Sequence, residues 1–209
     1  MKKAFVDLDG TLVNSKKRHI IALKMSLEAN GIFNINIDGY LKYKLGGFNT
    51  KKYLTDLLGL ESKLSNSINN YWVECIENDD LMYFDKLYSD SFIFLKKIVD
   101  CGYSVNILTA RKNKSYTVKF ISNSKISDFI SEIVIVNPIN ALYEKKQYID
   151  SFSGELISVG DTDSDYYASV ENCNNVYILN RGFRNKKFLD SFSIVNYDSL
   201  SSLIHFFNY

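Results

Sequence analysis

The sequence predicts an α/β fold, a parallel sheet covered by helices on both faces with an α-helical insertion after the first strand. Short β-rich apolar runs recur: "AFVDL" (4–8), "SVNIL" (104–108), "EIVIV" (132–136), "LISV" (156–159) and "VYILN" (176–180). Segments with helical spacing, such as "SYTVKFISNS" and "EKKQYIDSF", separate the later runs. Between the first run and the second that rhythm stops, and helical patterns alone fill the gap.

Each element has a local reason. A strand buried on both faces reads as a near-continuous apolar stretch, and helix-length spacers between such strands point to parallel crossovers. The stretch from Ser15 to about Asp85 holds amphipathic patterns only: "KKRHIIALKMSLEANG", which stops on Gly31, then "IDGYLKYKLGG", "TKKYLTDLLGL" and "SKLSNSINNYWVECIEN". It is expected to form a small bundle of its own, residues 15–85, with a core built from 1–14 and 86–209. The last segment, "DSLSSLIHFF", starts with a capping pattern and is expected to be a closing helix.

Composition bounds the function. A chain of 209 residues can bury a substantial core as one domain, or as one domain and a subdomain. A formal net charge of +1 argues against bulk binding to nucleic acid or to acidic membranes. Cys75, Cys101 and Cys173 are odd in number and far apart, so neither a disulfide framework nor a metal spacing follows. The apolar stretch behind the two N-terminal lysines is interrupted at Asp7, so no signal peptide is expected, and no run approaches membrane-span length. A cytoplasmic protein is expected.

The strand ends carry the chemistry. In an open parallel sheet, ligands bind at the carboxyl edge. There the first strand ends in Asp7 and Asp9, the second in "LTAR" with Thr109, and the fourth in "GDTDSD" with Asp161, Asp163 and Asp165. Carboxylates this close raise each other's pKa unless a cation sits among them. An all-oxygen donor set favours a hard ion, with Mg²⁺ the usual choice. A metal held there can in turn hold a phosphate.

"DLDGT" after a strand, a threonine ending the next, a lysine opening a later helix and "GDTDSD" after another strand resemble the haloacid dehalogenase-like superfamily. The resemblance implies a Rossmann-like core and a Mg²⁺-dependent phosphatase acting on a small phosphate monoester. Asp9 sets the chain apart from the dehalogenase branch, which lacks that second aspartate. By the same resemblance, Asp7 is the nucleophile that takes up the phosphoryl group. Asp9 is the general acid and base, and also a metal ligand through its backbone carbonyl. Thr109 and the amide of Ala110 bind the phosphoryl oxygens.

Asp7, Asp9, Asp161 and Asp165 form the implied metal set, with Asp165 acting through a metal-bound water or through the lysine. Asp163 is expected to be an exposed loop residue or a helix cap. For the family's lysine, Lys145 and Lys146 both stand at the right place. Lys145 is favoured because Tyr148, Ile149 and Phe152 follow it at the family's apolar spacing.

The helical insertion resembles the cap of the phosphoglycolate phosphatase and phosphoglucomutase branch, which selects substrate. His19 in its first helix and the lysines of "KLGGFNTKK" are candidate substrate contacts, as are Arg111, Arg181 and Arg184 in loops after strands. The expected partner is a small phosphorylated metabolite (a sugar phosphate, a phosphoglycolate-like acid or a nucleotide), with the chain a monomer or homodimer. A phosphomutase on the same machinery and a non-enzymatic ligand-binding protein are the alternatives.

Overall fold

The computed structural model describes residues 1–207. In chain order its elements begin with β1 (Lys2–Val6), β2 (Val13–Asn14), α1 (Lys16–Ala29), α2 (Tyr40–Leu45), α3 (Thr50–Asp56), α4 (Ser62–Cys75) and α5 (Asp79–Met82). Next come β3 (Lys86–Leu87), α6 (Ser91–Asp100), β4 (Ser104–Thr109), α7 (Lys114–Ser122), β5 (Ile130–Ile135) and α8 (Ala141–Asp150). The series closes with β6 (Glu155–Gly160), α9 (Asp163–Ser169), β7 (Asn175–Leu179), α10 (Lys186–Ser191) and β8 (Asn196–Tyr197). The chain divides into two compact units, Met1–Asn14 with Leu87–Tyr209, and Ser15–Lys86.

The first unit is a six-stranded parallel sheet in the order β5-β4-β1-β6-β7-β8. β1 lies between β4 and β6, and Val6 is level with both Ile107 and Val159. Three strands therefore end side by side. Alternate side chains of β1 point to opposite faces. Ala4 and Val6 join the larger core cluster with Val105, Ile107, Ile157 and Val159, and Phe5 joins the other with Leu108, Ile149 and Leu156. Every one of these is buried, which is why the strand reads as continuously apolar.

α6 shows what holds the helices down. Phe94, Leu95 and Ile98 are fully buried on one face of it. Three such side chains contribute roughly 5–9 kcal/mol before entropy is counted. A helix cap contributes only about 0.5–2 kcal/mol. Asp90 occupies the N-cap position of α6 and makes no capping bond there. Its carboxylate instead accepts from Arg181 and from the backbone N–H groups of Leu200 and Ser201.

The closing segment is helical, as expected, and its helix is of the tighter kind. Ser201–Phe207 is a 3₁₀ helix, not an α-helix. Its entry is wound by three-residue bonds, from the Leu203 N–H to the Leu200 carbonyl and from the Ser202 N–H to Ser199 Oγ. That spacing lets Leu200 and Leu203 both reach the core, where packing rewards the tighter turn.

The second unit is helical. α1 buries Ala22, Leu23, Ser26 and Leu27, a stripe at helical spacing, and packs against α4. Gly31 ends that helix at φ +77°, a left-handed turn that glycine adopts without strain. Arg18 and Asp85 form a buried ion pair at 3.2 Å. Among the described residues, no helix of either unit is long and apolar enough to cross a membrane.

Candidate active site

The site is assembled at the carboxyl ends of β4, β1 and β6. Asp7 follows β1 directly, and its N–H bonds the Val159 carbonyl at 2.8 Å, extending the ladder by one residue. Thr109 closes β4, where its carbonyl accepts the Val136 N–H, and its side chain is buried. Ala110 is half-buried in the loop that follows. Asp161 comes immediately after β6.

Between Asp9 and Val13 the chain turns back on itself. Gly10 sits at φ +87°, and its N–H bonds the Val13 carbonyl at 2.7 Å. A Cβ there would stand 2.4 Å from Asp161 Oδ2. The same is true at Gly182, where a Cβ would fall 2.0 Å from that oxygen. The adjoining N–H of Phe183 donates to it. Two glycines and one amide thus cradle the Asp161 carboxylate. Gly182 is a site residue that sequence reading missed, and its one signal is its place in a loop directly after β7.

α8 places the two lysines in different surroundings. Lys145 and Ile149 are one turn apart and both point inward. Lys145 Nζ bonds Asp7 Oδ1 and Asp165 Oδ1, each at 2.7 Å. Lys146 faces outward and pairs with Glu171 and Asp150. The other oxygen of Asp165 accepts from the N–H and hydroxyl of Thr162 and from the N–H of Asp161. Asp165 is therefore both the partner of the lysine and half of a capping box. Thr162, rather than Asp163, caps α9, because its extended backbone turns the hydroxyl onto the Asp165 N–H.

Burial shapes the charges. It pushes the Asp7 carboxyl up to about 7, against the pull of Lys145 and with a further push from Asp165. Asp161 is raised well above the usual carboxylate range by burial, then by Asp7 and Asp165. Burial also opposes ionisation of Asp165, but the Lys145 ammonium and the hydrogen bonds from Thr162 together outweigh it and hold that group low. Burial pulls Lys145 down, and Asp165 and Asp7 more than reverse this, leaving it raised.

Asp7, Asp161 and Asp165 each offer an oxygen, and these atoms all lie within 4.8 Å of one another. Burial and mutual repulsion keep Asp7 and Asp161 from ionising easily beside a single ammonium, and a cation would relieve this. The all-oxygen donor set fits a hard divalent cation. Asp9 stands outside this carboxylate cluster, with its side chain on Arg111.

The three candidate arginines are each bound to an aspartate. Arg111 donates from Nε and Nη2 to the two oxygens of Asp9, both at 2.7 Å. Arg181 donates to Asp90 and to the Thr11 carbonyl, with its guanidinium 3.9 Å from the centre of the Tyr88 ring. Arg184 pairs with Asp163 at 2.7 Å.

In the helical unit, the His19 ring centre lies 5.5 Å from that of Trp72. The loop in "KLGGFNTKK" is a structured turn. Gly47 sits at φ +88°, Asn49 caps α3 through the Lys52 N–H, and Tyr43 stacks on Phe48.

The chain matches the family model of haloacid dehalogenase-like hydrolases over residues 5–174. No curated protein matches it in sequence. Solved structures share its fold at low identity. A haloacid dehalogenase-like family hydrolase from Streptococcus pneumoniae superposes with a TM-score of 0.76 at 17% identity, covering 100% of this chain and 99% of the other. A protein described as a predicted phosphatase from Clostridium acetobutylicum gives 0.73 at 17% identity, covering 98% and 96%. One described as a predicted phosphoglycolate phosphatase from Haemophilus somnus gives 0.68 at 16% identity, covering 100% and 98%.

Proposed function

The chain belongs to the haloacid dehalogenase-like hydrolase family, and from that premise we propose that it is a Mg²⁺-dependent phosphatase of small phosphate monoesters. The observation that carries this reading is Lys145 bridging Asp7 and Asp165 while Asp161 closes the same acidic cluster. Relatives of the same fold described as phosphatases support it.

Asp7, Asp161 and Asp165 are the carboxylates that would hold the ion, with the backbone carbonyl of Asp9. When bound, the ion supplies positive charge for the phosphoryl oxygens and screens them from the carboxylates. Asp7 attacks phosphorus through a carboxylate oxygen, and the bond from phosphorus to the ester oxygen breaks. Asp9 gives its proton to that leaving oxygen. Asp9 then takes a proton from water, whose oxygen attacks phosphorus and breaks the bond to Asp7. Thr109 and the Ala110 N–H bind the phosphoryl oxygens, and Lys145 holds Asp7 in place. The substrate is a small phosphorylated metabolite, a sugar phosphate, a phosphoglycolate-like acid or a nucleotide.

The test is phosphate release across a panel of such monoesters. Release with Mg²⁺ that stops in EDTA supports the reading. No turnover of any ester removes it, and isomerised phosphosugar in place of free phosphate changes it to a mutase.

A second measurement reads the ion without turnover. Asp7, and with it Asp161, holds a proton in the folded protein that the unfolded chain has already lost above about pH 4. The stabilisation from Asp7 in metal-free protein is complete at acid pH and lost as pH rises through about 7, and Asp161, also raised, acts in the same direction. Lys145, being raised, and Asp165, being lowered, change stability only outside this window. The melting temperature in EDTA should therefore fall from pH 5 to pH 8, and Mg²⁺ should raise it more at pH 8. An equal Mg²⁺ effect at both pH values would contradict binding by these carboxylates.

Substrate choice is assigned to the helical unit and chemistry to the sheet unit. His19→Ala or Lys51→Ala should reorder kcat/KM among natural monoesters while sparing a minimal aryl phosphate. Thr109→Ala should lower all substrates together. A uniform loss from both kinds of variant would remove this division of labour.

A further inference from the structure

We propose that Arg111 is a positioning residue for Asp9, and that it sets how well the enzyme expels leaving groups that need protonation. The proposal rests on the phosphatase reading and deepens it. Arg111 is 1% exposed, and the edge of its guanidinium formed by Nε and Nη2 meets both carboxylate oxygens of Asp9 at 2.7 Å. A carboxylate on a short side chain rotates freely when one oxygen is held. Two parallel charge-assisted bonds from a planar fork fix the direction of both oxygens.

Arg111 stands two residues after Thr109, the last residue of β4, whose carbonyl accepts the N–H of Val136 just beyond β5. The donors proposed for the phosphoryl oxygens and the clamp on the acid are thus consecutive in the chain, at the end of one strand. Because the bidentate edge is engaged with Asp9, Arg111 acts through that residue. Arg181 and Arg184 pair instead with Asp90 and Asp163.

The consequence depends on the leaving group. An alkyl oxygen is a poor leaving group and needs the proton from Asp9, whereas a nitro-substituted phenol leaves without it. Arg111→Ala should lower kcat for an alkyl phosphate by about 10²-fold or more and for a nitrophenyl phosphate by less than about tenfold. Asp9→Asn should show the same slope against leaving-group acidity. In the Asp9→Asn background, Arg111→Ala should add little for the alkyl ester, because both changes remove one function. Arg111→Lys, which keeps the charge but loses the fork, should fall between wild type and Arg111→Ala. Free guanidinium should restore part of the alkyl-ester rate to Arg111→Ala.

Melting curves show whether each variant folds. Should Arg111→Ala fail to fold, Arg111→Lys and the Asp9→Asn, Arg111→Lys pair give the same comparison. If wild type hydrolyses the series but the Arg111 variants lose every ester equally, or add fully to Asp9→Asn, the proposal is wrong and the phosphatase reading stands. If wild type releases phosphate from none of the esters, both are wrong.

Discussion

Asp7→Asn is expected to lower phosphate release by about 10⁴-fold or more, as loss of a nucleophile does elsewhere. The amide keeps the shape of the side chain, but its oxygen cannot form the phosphoryl ester. The fold should survive, because two effects oppose each other. Lys145 loses one of its two carboxylates, and Asp161 and Asp165 lose a buried like charge beside them. The melting temperature should therefore move by only a few degrees, about the shift that 1 kcal/mol produces in a chain of this size. Initial rates and a thermal melt read both outcomes. Near-normal release with unchanged melting would mean that another group attacks phosphorus.

Lys145→Met should have the largest combined effect on rate and stability. The ammonium lies between two buried carboxylates, and removing it leaves them facing each other with no counter-charge. Breaking a buried ion pair from one side costs about 3–5 kcal/mol. For a domain of this size that is a fall of roughly 6–20 °C in melting temperature. Phosphate release should drop by at least about 10²-fold, the loss seen when one stabilising donor is removed from a reacting centre.

The stability loss carries a pH signature. Asp7 is already raised to about 7 with Lys145 present, and higher still without it, so at pH 5 it takes up a proton and the repulsion falls. The variant should thus lose more stability at pH 8 than at pH 5, measured in EDTA. Lys146→Met serves as the control, since its partners lie at the surface and such pairs contribute little. Equal melting of the two variants would contradict the buried bridge.

Much of this was legible because it is local. Apolar continuity marked β1 as a strand buried on both faces, and the aspartates at 7, 9 and 161 announced themselves by breaking or following such runs. The spacing of Tyr148, Ile149 and Phe152 after Lys145 singled out the lysine that lies on Asp7 and Asp165. Ile149 is buried in the core, and both rings pack on Phe5. Helical periodicity likewise separated the residues after Ser15 from the sheet.

What the sequence alone determined is thus where the main strands and helices fall along the chain and which residue types stand at the strand ends, because periodicity and chain breaks act over a few residues. Tertiary structure decided the partners. Lys145 meets Asp7 across 138 positions, and Arg111 meets Asp9 across 102. Gly182 matters only because β7 delivers its loop against Asp161, and the closing segment winds as a 3₁₀ helix because the core accepts Leu200 and Leu203. These pairings follow from strand order and register, which bring distant loops to one edge of the sheet, and no local pattern carries that distance.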